Sequence, residues 1–215
     1  AVAWADEHNG LSAPTPAEAA VDAQIVFLCV GNDSDVRSVT VEAEGVLSTM
    51  TAGTLLVDHT TTSKALAEEL HAACNDLGIA FIDAPVSGGQ AGAENGVLTV
   101  MAGGEASAFE VMEPVIAAYA KHTQRMGDVG SGQVTKMVNQ LCIAGILGGL
   151  SEAFHFAECA GLDIDEVTRA IQGGAAQSWQ MNNRAETMAQ RKYDFGFAID
   201  WMRKDLGFAL DVAQK

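Results

Sequence analysis

From Gly130 the chain reads Gly-Ser-Gly-Gln-Val-Thr-Lys-Met-Val-Asn-Gln, and between Met137 and Ala160 it is almost wholly apolar. The pattern predicts one helix from Gln133 to about Ala160, roughly 40 Å long at about 1.5 Å per residue. A helix apolar nearly all round must be covered on every side, by its own domain, by a neighbouring domain or by a second subunit. Its first turns carry Lys136, Asn139 and Gln140, which share one helical face. An ammonium beside two amides at the start of a buried helix needs an explanation, because an unpaired buried charge is costly. Two explanations stand open. The lysine stem can lie on apolar surface while its head reaches water. Alternatively Lys136 is a general acid/base whose proton is loosened by burial, with Asn139 and Gln140 orienting a substrate. The glycines at 130 and 132 permit a close approach of another segment or a ligand. The pairs at 148–149 and 173–174 mark close helix packing and a turn.

The chain ahead of this helix alternates. Residues 1–9 read as the tail of a helix closed by Gly10, and Thr15-Pro16-Ala17-Glu18 as a capped helix start. Gln24–Val30 is a short apolar run that suits a strand buried on both faces. A helix over 35–47 follows, then a strand at 54–57, a helix over 63–77 and a strand at 79–83. A glycine-rich loop over 87–96, a strand at 97–101 and a helix over 106–120 complete this half. Strands alternating with helices predict a parallel, doubly wound α/β sheet over residues 1–129. Residues 130–215 are predicted to be all helical, with helices over 163–171, 177–190 and 198–214 after the long one.

Net charge is −16, and the 12 Lys and Arg form no stripe, which argues against binding nucleic acid or an anionic membrane. Cys29, Cys74, Cys142 and Cys159 sit inside strand or helix patterns and read as reduced core residues of a cytoplasmic protein. The histidines form no ligand cluster, so no metal site is expected. No secretory signal heads the chain, and the longest purely apolar run, Leu141–Leu150, falls short of a membrane span, so a soluble protein is expected.

In an open parallel sheet, ligands lie at the carboxyl ends of the strands. Three strands end there in suggestive loops: Val30-Gly31-Asn32-Asp33, Asp58-His59-Thr60-Thr61-Thr62-Ser63 and Asp83-Ala84-Pro85-Val86-Ser87-Gly88-Gly89. The hydroxyl run and the glycine turn each have a plain reading, as a helix cap and as a flexible turn. Their shared sheet edge is the stronger signal.

The last of these loops, with Gly92-Ala93 and Gly96 and then Gly130-x-Gly132-x-x-x-Lys136-x-x-Asn139, resembles the β-hydroxyacid dehydrogenase family. Ser178-Trp179, Asn183-Arg184, Phe197 and Lys204-Asp205 fit the same pattern, so the resemblance runs over essentially the whole chain. It implies a Rossmann-type sheet followed by an all-α domain of the 6-phosphogluconate dehydrogenase type, opened by a long interdomain helix. It implies NAD or NADP as cofactor, a small carboxylate substrate and a homodimer or homotetramer. Lys136 resembles the family's catalytic lysine, and Ser87, Gly88 and Gly89 its carboxylate-binding loop. Asn139 and Gln140 resemble the amides that support the substrate. Val30, Gly31, Asn32, Thr61, Phe197 and Lys204 fall at cofactor-contacting or pocket-lining positions. The family's Gly-x-Gly-x-x-Gly phosphate loop is absent from this sequence, as are its first strand and helix, and Lys64 and Gly31 stand where proline is common. The implied activity interconverts a small 3-hydroxyacid and its semialdehyde. Imine reductases of similar architecture are a rival, although they usually lack this lysine. A non-catalytic dinucleotide-binding scaffold is another.

Overall fold

The computed structural model describes residues 1–194 and 196–214, so the last residue of the segment assigned to 130–215 lies outside it. The chain divides into two units, Ala1–Met137 together with the C-terminal end from Leu210, and Val138–Ala209.

In the first unit, strands β1 (Ile25–Leu28), β2 (Leu55–Asp58) and β3 (Ala80–Asp83) lie parallel in that order, with Phe27, Val57 and Ile82 in register. All four residues of β2 are buried, as a central strand covered on both faces requires. Side chains alternate across the strands. Leu28, Leu56 and Phe81 therefore pack with Val36 of α3 (Asp33–Thr40) and Leu66 and Leu70 of α4 (Lys64–Asp76). Leu55, Val57 and Ile82 pack on the opposite face with Ala108, Met112 and Ile116 of α6 (Ala106–Ile116). Helices on both faces make the unit a Rossmann-type doubly wound α/β fold. Helices α1 (Val2–His8) and α2 (Pro16–Ala19) precede β1, and the Thr15 hydroxyl accepts from the Glu18 N–H as the capping pattern requires.

The sheet departs from an all-parallel one beyond β3. The chain runs on into β4 (Val86–Ser87), and β5 (Leu98–Gly104) pairs antiparallel with both β3 and β4. A further strand, β6 (Ala120–Gly127), pairs parallel with β5 in a segment expected to be the end of a helix and a loop. Its largely polar, half-exposed sequence hides a strand that needs only one neighbour. The expected helix over 35–47 stops at Thr40, whose hydroxyl bonds back to the Val36 carbonyl at 2.6 Å, and a short 3₁₀ turn at Val46–Ser48 follows. The expected loop over 87–96 contains a short helix, α5 (Gly89–Glu94).

Helix α7 (Ser131–Cys159, 29 residues) begins in the first unit and continues into the second. The second unit adds α8 (Ile164–Ile171), α9 (Trp179–Ala189) and α10 (Ile199–Ala213) as far as Ala209, the end of α10 being counted with the first unit. Its core joins Leu150, Phe154 and Ala157 of α7 to Ile164 of α8 and to Met181 and Ala185 of α9. The opposite face of α7 leaves Val138, Leu141 and Phe156 exposed, so the described residues do not cover the helix on every side.

Candidate active site

Lys136 lies in the second turn of α7 and is 6% exposed. Its Nζ donates to the Val86 carbonyl at 2.8 Å, so the ammonium is held against the residue that precedes Ser87. The snorkelling alternative is overturned, because the head group is turned inward.

The start of α7 is seated on the sheet edge by groups far away in sequence. The Gly130 N–H donates to Asp83 Oδ1 at 2.7 Å, and the Gln133 N–H to Asp83 Oδ2 at 2.8 Å. Helix N-termini leave amide donors unpaired, and here a carboxylate from the end of β3 accepts two of them. Burial pushes the Asp83 carboxyl up to about 7, opposed by these two N–H groups, while the charge of Asp58 adds to the rise. The helix comes this close because Gly132 has no side chain. A Cβ there would stand 2.5 Å from the carbonyl oxygens of both Asp83 and Met101.

The turn between β2 and α4 is held from the same place. The Gln133 side chain accepts from the Thr62 N–H at 3.0 Å and donates to the Thr60 carbonyl at 2.7 Å, on either side of Thr61. The Thr60 hydroxyl accepts from the Val30 N–H at 3.0 Å, joining this turn to the end of β1. Asn32 serves as the cap of α3, its Oδ1 accepting from the Ser34 and Asp35 N–H groups. Burial lowers the pKa of His59, opposed by its bond with the Ala84 carbonyl, and its other ring nitrogen meets the Tyr119 hydroxyl at 2.8 Å.

Ser87 opens the predicted carboxylate loop at the end of β4, and Gly88 and Gly89 follow with φ of 134° and 61°. Such values exclude ordinary side chains, and a Cβ on Gly88 would also meet Leu98 Cδ2 at 2.9 Å. Lys136, Ser87, Gly88, Gly89, Val30, Gly31, Asn32 and Thr61 all belong to the first unit.

Asn139, Gln140, Phe197 and Lys204 belong to the second. There the Asn139 amide donates to Gln140 Oε1 at 2.9 Å, and Gln140 Nε2 donates to Asp205 Oδ2 at 2.6 Å. Gln140 is 2% exposed, so it holds Asn139 and does not itself face outward. Lys204 Nζ lies 3.3 Å from Asp205 Oδ1 and sits over the rings of Trp201 and Phe208. Phe197 is exposed, in a left-handed backbone conformation at φ 52°.

Sequence reasoning gave no role to Asp83, Gln133 or Asp205. The available signal was a carboxylate at each of two adjacent strand ends, Asp58 and Asp83, and an amide buried one turn before Lys136.

The loops at the ends of β1 and β2 offer hydroxyls and backbone groups without a cation of their own, and Thr62 Oγ1 is buried there without a hydrogen-bond partner. That donor set fits the nicotinamide and sugar end of a dinucleotide. A diphosphate wants a glycine loop at a helix N-terminus, which this sequence does not contain.

A doubly wound sheet with ligand-suited loops at its carboxyl edge, and a helix presenting a buried lysine beside them, define a nucleotide-binding oxidoreductase fold. The family profile for the NAD-binding domain of 6-phosphogluconate dehydrogenase matches residues 2–137. The profile for the NAD-binding region of NADP-dependent 3-hydroxyisobutyrate dehydrogenase matches residues 130–215. The chain belongs to the β-hydroxyacid dehydrogenase family, whose cofactor is NAD or NADP. An uncharacterized oxidoreductase of Shewanella frigidimarina is 57% identical over 215 residues, covering 100% of this chain and 74% of the relative. A probable 3-hydroxyisobutyrate dehydrogenase-like protein of Arabidopsis thaliana is 42% identical over 205 residues, covering 95% of this chain and 68% of the relative. The crystal structure of 3-hydroxyisobutyrate dehydrogenase from Salmonella typhimurium superposes with a TM-score of 0.83 at 34% identity, over 93% of this chain and 70% of that one.

Proposed function

We propose that the protein interconverts a small 3-hydroxyacid and its semialdehyde, with Lys136 as general acid/base. The observation that carries this reading is the buried ammonium of Lys136, held on the Val86 carbonyl one residue before Ser87. A bound nicotinamide supplies or takes up the hydride, which no side chain can do. In the reductive direction Lys136 Nζ gives a proton to the carbonyl oxygen, and in the oxidative direction it accepts the hydroxyl proton. The Ser87-Gly88-Gly89 turn receives the substrate carboxylate through its hydroxyl and backbone N–H groups. Thr61, with Val30 and Gly31, lies on the nicotinamide side. Asn139 keeps the role of substrate amide, with Gln140 as its support, and Phe197 and Lys204 keep their cofactor roles. The names of the Arabidopsis and Salmonella proteins support a 3-hydroxyacid as the substrate class.

The same reading takes the protein as a cytoplasmic homodimer or homotetramer that binds neither nucleic acid nor membrane. Helix α7 is long and apolar enough to cross a bilayer. Its first turn is nevertheless fastened into a sheet by Asp83, and both NAD-binding profiles extend into it.

The test is oxidation of NADH or NADPH by the complete protein with glyoxylate, succinic semialdehyde, tartronate semialdehyde and methylmalonate semialdehyde. Turnover with tartronate or methylmalonate semialdehyde supports the reading. Turnover with glyoxylate or succinic semialdehyde alone keeps the carbonyl chemistry but moves the substrate to a 2- or 4-hydroxyacid, and silence across the panel with both nucleotides rejects it.

A further inference from the structure

Gln133 is 0% exposed, yet its side chain is an amide. That amide bonds the Thr62 N–H and the Thr60 carbonyl, as a neighbouring strand would, leaving Thr61 framed between them. The Gln133 backbone N–H is meanwhile fixed on Asp83. One residue thus joins the end of β3, the turn after β2 and the helical turn that carries Lys136 three positions on. A slip of the 60–62 turn along α7 would leave two buried backbone groups and the amide unpaired, away from any water that could replace the lost bonds. The register is therefore strongly defined. An apolar residue of the same size would fill the space without setting it.

We propose that Gln133 is a positioning residue, holding Thr61 and Lys136 in one frame so that the nicotinamide-side group and the acid/base group keep a fixed separation. The proposal rests on the roles given to those two residues above. A displacement of about 1 Å in such a frame is enough to cost about 10²-fold in rate. A merely space-filling Gln133 would affect melting temperature alone.

The test uses Gln133→Met, which keeps the size and loses both hydrogen bonds, and Gln133→Glu, which keeps the shape and the acceptor for Thr62. Three quantities are read in the complete protein: exchange of the Thr62 amide, NAD(P)H affinity, and kcat with KM. In Gln133→Met the Thr62 amide should exchange at least about tenfold faster while Val100 and Met101 in β5 keep their protection, as expected of local opening. Its kcat should fall about 10²-fold with KM for the carbonyl substrate within about threefold. In Gln133→Glu the carboxylate faces the Thr60 carbonyl, and burial raises its pKa. Its lost turnover should therefore recover as pH falls, on a limb that the parent lacks. Unchanged Thr62 exchange in a folded Gln133→Met overturns the proposal. So does faster exchange with unchanged kcat and nucleotide affinity. If Gln133→Met does not fold, Gln133→Glu decides, and a pH profile identical to the parent's overturns it. If the parent turns over none of the semialdehydes, the functional reading fails separately. Faster Thr62 exchange with weaker NAD(P)H binding would then still support the clamp, and either one unchanged would overturn it.

Discussion

The ammonium of Lys136 donates to the carbonyl of Val86 across 50 positions of sequence, which fixes the charged end of a helical side chain at the mouth of the Ser87-Gly88-Gly89 turn. A buried lysine with a protein acceptor keeps its head group in one place, and proton transfer requires that. Lys136→Ala is expected to lower kcat by about 10²–10⁴-fold. Affinity for NAD(P)H should stay within about threefold, because an acid/base group of the proposed kind acts in the transition state. Steady-state kinetics with a fluorescence titration of the nucleotide checks both, and unchanged turnover removes the lysine from the mechanism.

Asp83 makes stability depend on pH. In the unfolded chain an aspartate titrates near about 3.9, whereas burial raises the folded group to about 7. Between those values the native state binds a proton that the unfolded state has lost. The contribution of Asp83 is therefore fully present below the unfolded value and is lost as pH rises through about 7. The slope approaches about 1.4 kcal/mol per pH unit in that window. Asp83→Asn, neutral throughout, should be less stable overall because its amide nitrogen opposes a backbone N–H. The gap between parent and variant should narrow as pH rises from 4 to 7. Denaturant midpoints at several pH values give the comparison, and a gap independent of pH refutes the assignment.

The alternation of apolar runs and glycines made the strands β1, β2 and β3 and their covering helices readable, because each run has one period and a clear stop. Strand β6 was not readable, since an edge strand with one neighbour needs little apolar character. Nor was the extension of β5 through Gly103-Gly104. Glycines that look like a stop are there because a Cβ on Gly103 would stand 2.5 Å from Asp83 Oδ1. Lys136 stood out as a charge on an apolar helix. Asp83 and Gln133 did not, because their partners lie 47 to 73 positions away and only the folded chain brings them together.

Gly132 is where the helix and the sheet edge come closest. Gly132→Ala would place a methyl group 2.5 Å from two carbonyl oxygens, and both are backbone atoms that cannot rotate away. Overpacking of this kind costs about 1–3 kcal/mol or more. The helix can relieve it only by lifting, which breaks the Asp83 bonds. Gly132→Ala should therefore lower both the melting temperature and kcat. A variant with parental stability and turnover would show that the helix and the sheet edge can part here without loss of the site.

Helix α7 carries Val138, Leu141 and Phe156 exposed, the last at 74%. Apolar side chains on one face of a long helix are stabilised by a partner surface, and large exposed patches mark such contacts. A second copy of the chain is the partner expected from the family. Light scattering of the complete protein should give a dimer or larger assembly. Phe156→Asp or Leu141→Asp should weaken association by about tenfold or more, as truncating or charging an interface anchor typically costs above 1 kcal/mol. A protein that stays monomeric at all concentrations contradicts the interface. One that sediments with membranes and needs detergent for release would place the same helix in lipid instead.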